Sequence, residues 1–250
     1  MSLLGVQRHG SGPIVVWLHG FTQTKDSAHS FRSILAGTNE LVTLDLPGHG
    51  ENASIQATLG ETADLLASSL TREPIVLAGY SFGARVALHF ALAYPERLRG
   101  LVLLSATRGL EQQRERDERR QRDEELAERI ERVGVESFLD EWLALPLFAT
   151  LPDDPVERAA RSSDARGLAN SLRRAGTGTQ QWLAPQLATI NVPTLALSGE
   201  LDEKFTREAA AIAAAMADSD VAVVTGAGHA AHLERPGLCA APIQRFISRL

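Results

Sequence analysis

Six short apolar runs do most to limit what this chain can fold into. They are "PIVVWLHG" (13–20), "LVTLDLPG" (41–48), "PIVLAGY" (74–80), "LRGLVLLSA" (98–106), "VPTLALSG" (192–199) and "DVAVVTGAG" (220–228). They show little alternation of apolar and polar residues, the pattern of strands covered on both faces. Helical patterns lie between them, at 58–70, 82–93, 206–217 and 237–249. Strand followed by helix, repeated, implies a parallel sheet flanked by helices, so the predicted class is α/β.

The rhythm breaks between residues 107 and 185. That stretch opens on the charge run "EQQRERDERRQRDEELAERIER" and reads as helical, with turns at Pro146, Pro152, Pro155 and Gly176. The charge run itself reads as a solvated helix laced with i,i+4 ion pairs, with a minority of its residues turned inward. The expected organisation is a core formed by 1–106 and 186–250, interrupted by a helical cap insertion at 107–185.

Composition narrows the function. Apolar residues make up 44% of the 250, enough for a real core, and the net charge of −6 argues against a nucleic-acid partner. A locally basic pocket for a small anion stays open. Cys239 is the single cysteine, so no intramolecular disulfide can form; it reads as a small buried residue of the last helix. The N-terminal stretch has no signal-peptide pattern, and no apolar run approaches the ~20 residues needed to span a bilayer. The expectation is a cytoplasmic protein, monomer or homodimer, with no membrane partner. No metal cluster or dinucleotide fingerprint is present, so no cofactor is expected.

The sharpest motif is "AGYSFGAR" (78–85). Gly79-x-Ser81-x-Gly83 between a strand and a helix is the pattern of a nucleophile elbow, a tight turn that leaves the hydroxyl exposed at the helix start. Helix N-terminal N–H groups there favour developing negative charge. His19-Gly20-Phe21, after the first strong strand, matches an oxyanion loop, in which the N–H near Phe21 would join that of Phe82. Asp202 and His229 each follow a late strand, giving the order Ser…Asp…His. A triad needs a base beside the hydroxyl and a carboxylate to orient that base. Loops after neighbouring strands deliver all three to one sheet edge.

Among the seven histidines, His9 and His29 lack a matching loop, and His89 reads as packing within the elbow helix. His49 reads as structural in the "PGHG" turn, and His232 is open to a supporting role behind His229. Glu200 and Glu203 compete with Asp202, which has the better offset from the strand end.

These features resemble the α/β-hydrolase superfamily over nearly the whole length. A narrower resemblance, to the menaquinone-pathway 2-succinyl-6-hydroxy-2,4-cyclohexadiene-1-carboxylate synthase family, rests on "GYSFGAR", "RERDERRQRDEELA", "FLDEWLALPLFATL", "GLANSLRRAGTGTQQ", "GELDEKF" and "GAGHAAHLERP". It implies an α/β-hydrolase fold and a lyase that eliminates pyruvate from 2-succinyl-5-enolpyruvyl-6-hydroxy-3-cyclohexene-1-carboxylate, in menaquinone or phylloquinone biosynthesis. Ser81, prepared by His229 and Asp202, would act as a base, with Phe21 and Phe82 as the oxyanion hole. The substrate carries several carboxylates. Arg85, one helical turn past Ser81, can face the same cavity, and its fork suits a carboxylate. The resemblance carries further arginines onto Arg119 and Arg161, with Arg158 or Arg166 as alternatives to the latter. It also makes Tyr80, Trp142 and Phe148 pocket residues.

Each of these has a plainer reading. Arg119 would pair with Glu115 or Asp123 on the surface, Arg85 would sit in a buried salt bridge, and Trp142 and Phe148 would be cap core. A carboxylesterase or C–C bond hydrolase would use the same fold and triad, but an unpaired Arg85 beside its nucleophile would be costly and serve nothing. A non-enzymatic receptor or scaffold would need no complete triad.

Overall fold

The computed structural model describes residues 4–250. Seven strands form one sheet: β1 (Val6–His9), β2 (Ile14–Leu18), β3 (Glu40–Leu44), β4 (Ile75–Tyr80), β5 (Leu98–Leu104), β6 (Thr194–Gly199) and β7 (Ser219–Val224). The helices are α1 (His29–Ala36), α2 (Leu59–Ser69), α3 (Phe82–Ala93), α4 (Gln113–Val133), α5 (Val135–Leu143), α6 (Pro155–Ala159), α7 (Ala165–Ala175), α8 (Glu203–Ala214), α9 (Ala231–Glu234) and α10 (Pro236–Ile247).

The strand order is β1-β3-β2-β4-β5-β6-β7, parallel throughout except for β1, which runs antiparallel to β3. All six expected strands are present. The sheet is mostly parallel because each crossover carries a helix back over one face. Successive residues of β2 alternate between two cores: Val16 and Leu18 pack with α2 and α3, while Val15 and Trp17 pack with α1 and α10. Cys239 is fully buried on α10, where burial pushes its thiol pKa up.

Residues 113–175 hold α4 to α7. Their own small apolar cluster joins Ala127, Ile130, Phe138, Leu168, Ala169 and Leu172. The segment is not helical throughout. Residues 149–154 and 176–183 are turns and irregular chain. Pro155 does not make a turn. It starts α6, where a missing N–H is tolerated and Asp154 caps Val156 and Glu157. Among the described residues no helix is long and apolar enough to cross a membrane.

Candidate active site

The parallel register aligns the C-terminal ends of the strands, and the chemistry collects there. β4 ends on Tyr80, and Ser81 follows at φ 50° and ψ −102°, a strained conformation for a residue with a side chain. The flanking glycines are required by close approach. A Cβ on Gly79 would lie 2.4 Å from the Gly83 carbonyl oxygen, and one on Gly83 would lie 2.3 Å from that of Leu18. Backbone atoms cannot move aside as a side chain could.

Asp202 follows β6 and His229 follows β7. His229 Nδ1 lies 2.7 Å from Asp202 Oδ2, and its Nε2 lies 3.2 Å from Ser81 Oγ. The carboxylate only accepts, so Nδ1 carries the proton and Nε2 offers its lone pair to the hydroxyl. Asp202 Oδ1 also accepts the Phe205 N–H, capping α8 and fixing the carboxylate's orientation. That cap starts α8 three residues before the expected 206.

Two residues with no motif of their own hold the His229 backbone. Ser105, at the end of β5, donates its hydroxyl to the His229 carbonyl at 2.9 Å. The Glu234 carboxylate accepts the N–H of Gly228 at 2.6 Å and of Ala230 at 3.0 Å, bracketing the histidine.

The loop after β2 is equally constrained. Leu46 donates its N–H to His19 Nε2 at 3.0 Å, so His19 Nδ1 carries the proton and donates to the Gly20 carbonyl at 2.9 Å. Gly20 donates to Gln23 Oε1 at 2.8 Å. Gln23 Nε2 is therefore the donor to His232 Nε2, 3.2 Å away, which leaves the His232 proton on Nδ1. Nδ1 has no partner among the described residues. His232 thus stands behind the loop, with its ring centroid 4.2 Å from that of Tyr80. His49 is fully buried, stacked on Phe82 and edge-on to Phe21.

Burial lowers the pKa of three of these rings: His19, His232 and His49, the last to about 3. Unfolded, they would take a proton near 6.5. Their contribution to stability is complete above that pH and is lost as pH falls through it, because the unfolded state then binds more protons. Replacing His49 with asparagine is expected to flatten this acid slope by up to about 1.4 kcal/mol per pH unit. Urea denaturation between pH 7 and pH 4 checks it, and an unchanged slope would contradict it.

A cavity at this edge is lined by Ser81, His229, Phe21 and Phe82, and by all six expected substrate residues: Tyr80, Arg85, Arg119, Trp142, Phe148 and Arg161. Asp202 lies behind His229, outside the lining. Arg85 is 8% exposed and donates Nη1 to the Ala175 carbonyl at the end of α7, 2.9 Å away. Burial, reinforced by Arg119, pulls its pKa down to about 10. Arg161 is likewise 8% exposed; Nη1 donates to Thr22 Oγ1 at 2.6 Å, while Nε is buried with no partner among the described residues. Neither arginine forms an ion pair among the described residues, so the buried salt bridge considered for Arg85 is absent. Arg119 does pair, through Nε, with Asp123 at 2.8 Å, and still lines the cavity. Arg158 instead bonds Asp140 at 2.7 Å, and Arg166 is exposed. Trp142 stacks on Phe138 and meets Phe21 edge-on, joining α5 to the loop after β2.

Comparisons with known proteins identify the family. Residues 15–241 match the model of the Alpha/beta hydrolase family. A synthase from Yersinia pseudotuberculosis, named 2-succinyl-6-hydroxy-2,4-cyclohexadiene-1-carboxylate synthase, is 32% identical over 96% of this chain and 89% of its own. The chain belongs to that synthase family. A Bacillus subtilis (strain 168) protein to which the same name is provisionally attached is 38% identical over 94% of this chain and 90% of its own. The structure of MenH from S. aureus superposes with a TM-score of 0.90 at 29% identity, covering 100% of this chain and 99% of the other. The likeness to synthase-family members spans residues 113–175 as well as the sheet, and that segment contributes Arg119, Trp142, Phe148 and Arg161 to the cavity.

Proposed function

We propose that this enzyme carries out the family's elimination in menaquinone biosynthesis, with Ser81, His229 and Asp202 as its base. The names of substrate and product fix the bonds that change. The 3-ene becomes a 2,4-diene and the enolpyruvyl ether is lost. The C2–H pair forms C2=C3, the C3=C4 pair moves to C4=C5, and the C5–O bond breaks, releasing enolpyruvate, which becomes pyruvate.

The C2 proton is acidic because the succinyl carbonyl beside it can take up charge. The N–H groups of Phe21 and Phe82 would stabilise that charge, which is where preorganised donors contribute most. A serine hydroxyl is a poor base alone. His229 takes its proton as Ser81 removes the one on C2, and Asp202 stabilises the imidazolium. The proton on His229 then passes to the departing enolate or to solvent. No acyl–enzyme ester forms in this reading.

One observation carries the choice of lyase over hydrolase. Arg85 and Arg161 are both nearly buried in the same cavity with no ion-pair partner among the described residues. Such charges are costly unless a ligand supplies the counter-charge. A substrate with several carboxylates supplies it, with Arg119 as a third cation, and Tyr80, Trp142 and Phe148 forming the apolar walls. In the same reading, residues 107–185 act as a cap over the site, and the enzyme works in the cytoplasm on a free small molecule.

The test is to supply the enolpyruvyl substrate to purified protein and follow pyruvate together with the diene. Equal amounts of both are expected. No release above background would overturn the reading. Fast turnover of a simple aryl ester, with fluorophosphonate labelling of Ser81 and no pyruvate, would replace it with a hydrolase.

A further inference from the structure

The loop that presents Phe21 is fastened to the cap by a set of bonds centred on Thr22. Thr22 is fully buried at φ 69°, in the left-handed region that a β-branched residue rarely enters. Both of its oxygens are held by consecutive cap residues. Arg161 Nη1 donates to Oγ1 at 2.6 Å, and the Ser162 N–H donates to the carbonyl at 2.8 Å. Beyond it, Thr24 Oγ1 donates to the Ala160 carbonyl at 2.6 Å, and Ala28 donates its N–H to Glu157 Oε2 at 2.6 Å.

The Thr22–Arg161 bond differs from the others because Arg161 also lines the cavity. A guanidinium on a long stem has many rotamers, and its planar fork binds a carboxylate only when correctly aimed. The Thr22 hydroxyl holds one terminal nitrogen and so restricts rotation of the plane. The bond also acts in the other direction: it anchors the strained residue of the Gly20–Gln23 turn, in which the Gln23 N–H at 3.1 Å and His19 Nδ1 at 2.9 Å hold the Gly20 carbonyl and so orient the Phe21 N–H of the same peptide plane. A strained backbone persists only when its surroundings over-determine it.

We infer that Thr22 is a positioning residue that couples carboxylate binding at Arg161 to the geometry of the oxyanion loop. The inference rests on the roles proposed above for Arg161 and Phe21. It adds that the two are not independent: substrate engaging Arg161 also fixes the donor used at the other end of the reaction.

A double-mutant cycle tests it, using Thr22→Val, Arg161→Met and the pair, with pyruvate release as the readout. Valine keeps the β-branch and removes the hydroxyl. Thr22→Val is expected to lower kcat/KM about 30-fold, with kcat carrying part of the loss, and to change it less than about threefold in the Arg161→Met background. Thr22→Ser, which keeps the hydroxyl, should stay within about threefold of wild type. A loss from Thr22→Val that is the same in both backgrounds would mean a merely structural role and would overturn the coupling. So would no loss at all.

A second measurement does not depend on the Thr22 variants folding. Amide exchange across residues 20–24 is expected to quicken about tenfold in Arg161→Met and to stay unchanged in Arg85→Met. Equal exchange in both would also overturn the inference. If wild-type protein released no pyruvate, the reaction assignment would fail instead, and the exchange result would still decide whether Arg161 anchors the loop.

Discussion

Replacing Ser81 with alanine is expected to lower kcat for pyruvate elimination by about 10³-fold and to leave KM within about threefold. Alanine keeps the Cβ, so the φ of 50° is as tolerable as in the native chain. The arginines proposed to bind the substrate carboxylates are untouched, so affinity should persist. The reason for the large effect on kcat is geometric. His229 Nε2 faces Ser81 Oγ at 3.2 Å, so its lone pair is aimed at the hydroxyl. Were His229 to take the ring proton directly, alanine would cost little, because the imidazole and Asp202 would remain in place. Steady-state and single-turnover rates with the enolpyruvyl substrate separate the two. A loss below about tenfold would assign the base to His229 and demote the hydroxyl to substrate binding.

The serine, the aspartate and the histidine were legible in the sequence because each follows a strand that is itself legible. Continuous runs such as "PIVLAGY" and "VPTLALSG" fix the strand ends, and the parallel topology then fixes where the next residue lies. What was not legible depended on partners distant in the chain. β1 is short and polar and pairs antiparallel at the sheet edge, so no apolar run announces it. α1 follows Ala28, whose side chain cannot cap; the Ala28 N–H is instead accepted by Glu157, 129 residues further on. Gln23, Ser105 and Glu234 act by bonding backbone groups around Gly20 and His229, and carry no motif spacing of their own. Thr22 was hidden for the same reason. Its left-handed φ goes with bonds from Arg161 and Ser162, about 140 residues away in the chain.

Replacing Arg85 with methionine is expected to raise KM about 100-fold while raising the thermal midpoint of the free enzyme by about 3 °C. The two effects have opposite signs for one physical reason. Arg85 is nearly buried, and its hydrogen bond to the Ala175 carbonyl offsets only part of the desolvation of a full charge. Its pKa of about 10 lies below the ordinary 12.5, because burial and then Arg119 disfavour the charged form. The folded state therefore binds fewer protons than the unfolded state between those values. Stability rises with pH across that window, and below it the protonated arginine weakens the fold. Methionine fills a similar volume without the charge, which relieves that penalty. It also removes the fork a substrate carboxylate would use. Arg85→Lys separates charge from geometry: it retains the cation but loses the bidentate fork, and KM should rise only about tenfold. Calorimetry on the free enzyme and initial rates on the same preparations give both signs. If Arg85→Met lost stability and kept KM, Arg85 would be a structural strut between α3 and α7, and the case for a carboxylate-rich substrate would rest on Arg161 and Arg119 alone.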